Sequence, residues 1–224
     1  MKASPRKCVI DPQIYSAAIE FTANLERDEW GGIGIGSYTK NNEVLLKGIV
    51  FPPQYGSSST YCSFEAKYLA LLKFTLGDLG LFPQVTMVAW VHSHPGHGIF
   101  LSDMDRQTFG ELIGENERLI AAVIEPEQKL IGAFSGASAT EQIEIEKRDL
   151  LWKEDQSIRL ALLENLLPEM KVIVPPLPDT CAPGNLIETM YVLADKIVRM
   201  RKWLATEQLA RQASLLPQPE NDGE

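Results

Sequence analysis

The run QVTMVAWVHSHP, residues 84–95, constrains the fold more than any other stretch. It is apolar and β-branched almost to its end, the signature of a strand buried on both faces. What precedes and follows it supplies further strands and helices. Residues 5–30, PRKCVIDPQIYSAAIEFTANLERDEW, read as a short strand and then a helix. In that helix Ile14, Ala17, Ala18, Phe21 and Leu25 recur at helical spacing, Asp11 suits the N-cap and Pro12 the first helical position. EWGGIGIGSYTKNNEVLLKGIVFPP reads as a hairpin turning at KNNE, followed by a loop, PPQYGSSST. The glycines of GGIGIG make no phosphate loop, because no helix N-terminus follows them; close backbone approach within a sheet accounts for them. SFEAKYLALLKFTLGDLGL predicts a helix with Tyr68, Leu71, Leu72 and Thr75 on one side. A further helix starts at Ser102, with Asp103 and Asp105 in its first turn, and RLIAAVIEPEQKLIGAFSG gives two strands about a PEQK turn. These elements predict an α/β (α+β) fold, a curved mixed β-sheet flanked by helices.

Beyond about residue 145 the texture changes. Residues 146–170 read as helical, KVIVPPLPDTCAPG as a proline-rich connector, and residues 185–216 as a long amphipathic helix. Ile187, Met190, Tyr191, Ala194, Ile197, Val198 and Leu204 form its apolar stripe, interrupted at Arg201. The expected organisation is a domain over 1–146, a helical C-terminal extension over 147–215 and a tail over 216–224. The helix at 186–205 is a candidate contact for a twin subunit or another partner.

Charge and cysteine content narrow the function classes. A net charge of −9 and a pI near 5.0 leave no basic stripe for phosphates, which argues against nucleic acid. Cys8, Cys62 and Cys181 are scattered and contain no CxxC pair, as expected of reduced thiols in a cytoplasmic protein. The N-terminus has no apolar h-region, and no apolar run reaches the ~18 residues that span a bilayer, so no membrane role is expected.

The chemistry gathers in WVHSHPGHGIFLSDMD, residues 90–105, which holds all three histidines of the chain. A strand ending in His-x-His puts His92 and His94 on one face, where two imidazoles can converge on one ion. Asp105, in the first turn of the next helix, can turn back toward them. Two histidines and one carboxylate with an open fourth position is how catalytic zinc is held, whereas structural zinc is closed by four ligands. Asp103 is better explained by the helix dipole. His97, in a glycine-flanked loop, reads as a bystander.

The whole pattern, His-Ser-His-Pro, six residues, then Ser-x-x-Asp, resembles the motif of the JAMM (JAB/MPN) zinc metalloproteases. EWGGIGIG from Glu29 is similar to that family's glutamate strand, and VIEPEQKLIGAF to its late hairpin. The resemblance covers roughly residues 8–136 and implies an MPN/JAB fold. It implies one Zn2+ per chain, with bound water, on His92, His94 and Asp105. It further implies Glu29 as the general base and Ser102 as a donor to the oxyanion. The substrate it implies is the C-terminus of a ubiquitin or ubiquitin-like protein. The short loop at 52–63 is more similar to compact prokaryotic members, which occur with activating and conjugating enzymes. Two alternatives stay open: a non-catalytic MPN scaffold, and a peptidase that processes a sulfur-carrier-type protein.

Overall fold

The computed structural model describes residues 4–176 apart from 26, 115, 138, 151 and 152, together with the single residues 184, 198, 202 and 206. In chain order the elements are β1 (Lys7–Ile10), α1 (Pro12–Ala23), β2 (Gly31–Tyr38), β3 (Glu43–Phe51), β4 (Gly56–Ser58) and β5 (Tyr61–Ser63). They continue with α2 (Lys67–Asp78), β6 (Thr86–Ser93), α3 (Asp103–Ile113), β7 (Ile120–Glu125) and β8 (Leu130–Ser135). The last are β9 (Glu141–Lys147), α4 (Glu154–Leu166) and β10 (Lys171–Ile173). Apart from the single residues 198, 202 and 206, the long helix expected over 185–216, with its candidate partner contact at 186–205, lies outside the described residues, as do the tail at 216–224 and Cys181.

β6 is buried from Val88 to Ser93, as its unbroken apolar character requires. It lies between β2, antiparallel, and β7, parallel. The sheet runs β1-β9-β8-β7-β6-β2-β3-β10. It does not stop at its first strand. β1 pairs in parallel with β9, Lys7 facing Glu144, and also with the first half of β3, Lys7 facing Glu43. The expected curved sheet is therefore closed on itself, with β10 laid beside the second half of β3. Two strands absent from the sequence expectation account for the difference. β9 supplies the partner that β1 needs, and β10 comes from the head of the supposed connector, where Val172 and Ile173 are buried. The loop after β3 is also more regular than expected, since β4 and β5 form a small hairpin.

Three apolar clusters follow from the alternation along the strands. Ile14, Ala18 and Ile19 of α1 pack with Cys8, Ile10, Val44, Leu46, Val91, Ala122 and Ile124. Ile33, Ile35 and Val50 face α2 and α4, including Leu72, Leu76, Leu160 and Leu163. Trp90, Ala121, Val123 and Phe134 face Phe109 of α3. The α4–β10 segment thus packs on the same sheet as the rest. Glycine in β2 reflects close approach: at Gly36, beside a register shift, a Cβ would stand 1.9 Å from the Leu45 carbonyl oxygen.

Candidate metal centre

His92 is the last ligand-bearing residue within β6, and His94 follows one residue past its end. They share the face of Trp90, and their positions two apart aim both rings at one point. The two Nε2 atoms lie 3.0 Å apart, and both residues are almost wholly buried. Packing sets the ring orientations: His92 stacks on Trp90 at 4.3 Å between centroids, and His94 lies 4.9 Å from the Phe100 ring. Each Nδ1 is buried without a hydrogen-bond partner among the described residues.

Asp105 reaches the pair because of how α3 begins. Ser102 is its N-cap, and with Asp105 it forms a capping box. The Asp105 amide donates to Ser102 Oγ at 3.1 Å, while Ser102 N–H and Oγ–H donate to Asp105 Oδ2 at 2.8 and 2.7 Å. The carboxylate straddles the histidines, Oδ1 3.5 Å from His92 Nε2 and Oδ2 3.5 Å from His94 Nε2. With Oδ2 engaged by Ser102, Oδ1 keeps the freer lone pairs. Four donors 2.0–2.1 Å from a zinc ion at tetrahedral angles sit roughly 3.4 Å apart. The nitrogens 3.0 Å apart, each 3.5 Å from its nearer Asp105 oxygen, and one donor atom per residue all within 4.8 Å of one another leave room for such an ion, so His92, His94 and Asp105 fit it. Three protein donors leave one position for a reacting ligand.

Glu29 comes from the segment just before β2, and its Oε1 lies 3.7 Å from His94 Nε2. Ser93, between the two histidines, holds that segment in place. Its Oγ accepts from Trp30 N–H at 2.9 Å, and its own N–H donates to the Trp30 carbonyl at 3.0 Å. The β4–β5 hairpin flanks the centre, with the Glu29 amide donating to Ser58 O at 2.8 Å. His97 stands outside the ligand group and bonds through Nε2 to Ser59 O at 2.8 Å, which ties its loop to the hairpin tip.

The electrostatics differ from residue to residue. Burial pushes the Glu29 carboxyl up to about 7, with His94 opposing and Asp105 adding to the rise. Burial would raise Asp105 too, but hydrogen bonds to His92, His94 and Ser102 hold it well below the usual carboxylate range. Burial lowers His92, which favours the neutral imidazole that a metal needs. Cys62, raised by burial and by the charges of Glu29 and Asp105, stays a thiol beside the centre.

No family model matches the chain. Individual relatives do. COP9 signalosome complex subunit 5 of Kluyveromyces lactis is 25% identical over 57% of this chain and 33% of its own length. The 26S proteasome non-ATPase regulatory subunit 14 of Drosophila melanogaster is 29% identical over 54% of this chain and 40% of its own. Ubiquitin carboxyl-terminal hydrolase RPN11 of Saccharomyces cerevisiae is 30% identical over 45% and 32%. All are JAMM/MPN+ proteins. Over about half its length the chain is similar to JAMM/MPN+ proteins. It spans a third to two-fifths of the length of the relatives it matches. The solution structure of protein DSY2949 from Desulfitobacterium hafniense has a TM-score of 0.51 at 15% identity, over 64% of this chain and 94% of that one. That likeness is one of fold alone.

The structure brings together His92, His94, Asp105, Ser102 and Glu29, the residues that the sequence puts forward for the site, and leaves His97 outside the donor group. Sequence reasoning passed over Ser93 and Glu125. Ser93 carried a local signal, as a small polar residue facing opposite to both histidines on one strand. Glu125 carried only a turn signal shared with Glu127 and Gln128, because the loop glycines it also holds lie 27 and 29 residues away.

Proposed function

We propose that the chain is a zinc-dependent peptidase or isopeptidase that cleaves after the C-terminus of a ubiquitin or ubiquitin-like protein. The observation that supports this reading is a two-nitrogen, one-oxygen donor group with a buried glutamate 3.7 Å from one nitrogen. His92, His94 and Asp105 would hold the ion; when bound, zinc polarises a carbonyl and brings the pKa of water to near 7. Glu29, poised near neutrality by its burial, takes a proton from the attacking water on a carboxylate oxygen and hands it to the departing amine. The water's remaining hydroxyl stays on the acyl carbon, and the C–N bond breaks. Ser102 is placed to donate to the oxyanion if its hydroxyl hydrogen leaves Asp105 Oδ2; a donor of this kind is worth about 2.7–4 kcal/mol. Half-exposed Phe100, its ring 4.9 Å from that of His94, offers an apolar contact beside the centre. The ubiquitin-type substrate rests on the relatives, one of which is named a ubiquitin carboxyl-terminal hydrolase. The short β4–β5 hairpin favours a compact, prokaryotic-type enzyme. Among the described residues no helix is long and apolar enough to cross a membrane, in keeping with work in the cytoplasm.

The test is metal analysis combined with cleavage of a ubiquitin-like protein carrying a C-terminal fusion. The expected result is one zinc per chain, cleavage abolished by chelator and restored by zinc, and a Glu29→Gln protein that keeps zinc but does not cleave. Purified protein without zinc affinity, or a Glu29→Gln protein that cleaves normally, would overturn the proposal.

A further inference from the structure

Glu125, the last residue of β7, is fully buried, yet the proposed reaction gives it no task. Its carboxylate is satisfied by main-chain groups. Gly96 N–H donates to Oε1 at 3.1 Å, Gly98 N–H to Oε2 at 2.6 Å and Glu127 N–H to Oε1 at 3.0 Å, with the Gln128 amide adding a fourth. Burial opposes the charge, and these donors more than offset it, keeping the group below the usual carboxylate range. Gly96 and Gly98 belong to the loop that runs from His94 to Ser102. Both have left-handed φ, +79° and +87°, where other residues are strained. Ile99 fixes the other half of the loop, its Cγ2 lying 2.1 Å from where a Cβ on Gly132 would stand. A loop with two such glycines is otherwise free to take many paths. Its path sets how far the Asp105 end of α3 stands from the two imidazoles.

We propose that Glu125 is a positioning residue for the metal group: its buried carboxylate gathers the N–H groups of the 95–101 loop and thereby holds Asp105 at metal-binding distance from His92 and His94. The inference rests on the zinc reading above and concerns how the ligands are held, not what they do. Glutamine at 125 would offer one acceptor oxygen in place of two and set an NH2 against a main-chain donor. Substitutions behind metal ligands typically cost about 10- to 100-fold in metal affinity.

The experiment compares the full chain with Glu125→Gln, Gly98→Ala and a remote core control, Leu76→Ala. It reads zinc affinity by chelator competition, the visible spectrum of the cobalt-substituted protein, and the Tm of the metal-free form. Glu125→Gln and Gly98→Ala are expected to weaken zinc by about 10- to 100-fold and to alter the cobalt spectrum. Leu76→Ala should lower Tm and change neither. Undiminished zinc affinity in the two loop variants, or an equal loss in the core control, overturns the proposal. If Glu125→Gln does not fold, Gly98→Ala decides alone, since its added methyl meets nothing within 4 Å and acts only through φ. If the unsubstituted chain binds no zinc, the zinc reading falls and this inference with it; tight binding that survives both loop substitutions removes this inference only.

Discussion

Glu29 is 5% exposed, and its carboxyl is pushed from 4.5 up to about 7, so the metal-free fold disfavours its ionised form. A carboxylic acid whose folded pKa lies above its unfolded one costs nothing below the unfolded value; the destabilisation builds as pH rises between the two and is full above the folded one. Glu29→Gln should therefore raise the Tm of the metal-free protein at pH 8 and leave it nearly unchanged at pH 4. The displacement corresponds to roughly 3 kcal/mol. Calorimetry at the two pH values checks the sign, and equal shifts at both would contradict it. A group that weakens the resting fold in this way is common where chemistry demands it. Glu125 illustrates the opposite case, a buried acid supplied with donors, of which only those of Glu127 and Gln128 are near it in sequence. Its partners Gly96 and Gly98 lie 29 and 27 residues away, and the turn PEQK explains an acid there without burial.

At the scale of elements, one device both starts α3 and presents a ligand. Ser102→Ala removes the cap on the helix and both side-chain contacts between Oγ and Asp105, and should lower stability by about 1 kcal/mol in urea unfolding. An unchanged midpoint would mean that the cap carries no weight. Asp11 caps α1 in the same local way, accepting from Gln13 N–H at 2.9 Å, with Pro12 behind it. Features of this kind are legible in sequence because all partners lie within a few residues. β9 was not legible for the converse reason. EQIEIEK alternates, but four of its seven residues are charged, and its strand character depends on β8 and β1. Lys7 on β1 meets Glu144 at 3.1 Å and Glu146 at 2.9 Å, so the acids that make β9 look like a solvated stretch have a partner on the next strand. The His-x-His-Pro to Ser-x-x-Asp spacing sits between these cases, being short enough in sequence to read and specific enough to place four residues.

At the scale of the molecule, α4 shares a cluster with α2 and the β2–β3 pair, and Leu163 in it is fully buried. Leu163→Ala should cost about 2–5 kcal/mol, measured by denaturant unfolding, with zinc affinity retained. A negligible loss would show that α4 contributes little to the sheet it covers. Closure of that sheet was the part of the fold least open to sequence reading, because it depends on the two ends of the domain meeting. The same closure has a consequence in time. Lys7 bonds Glu146 across 139 positions of chain, and β1 has no second neighbour until β9 has been synthesised. Pairings so distant slow folding toward the millisecond-to-second range. The proposed metal ligands, together with Glu29 and Glu125, span only residues 29 to 125, all made earlier, so the centre can be assembled while the ring around it is still open.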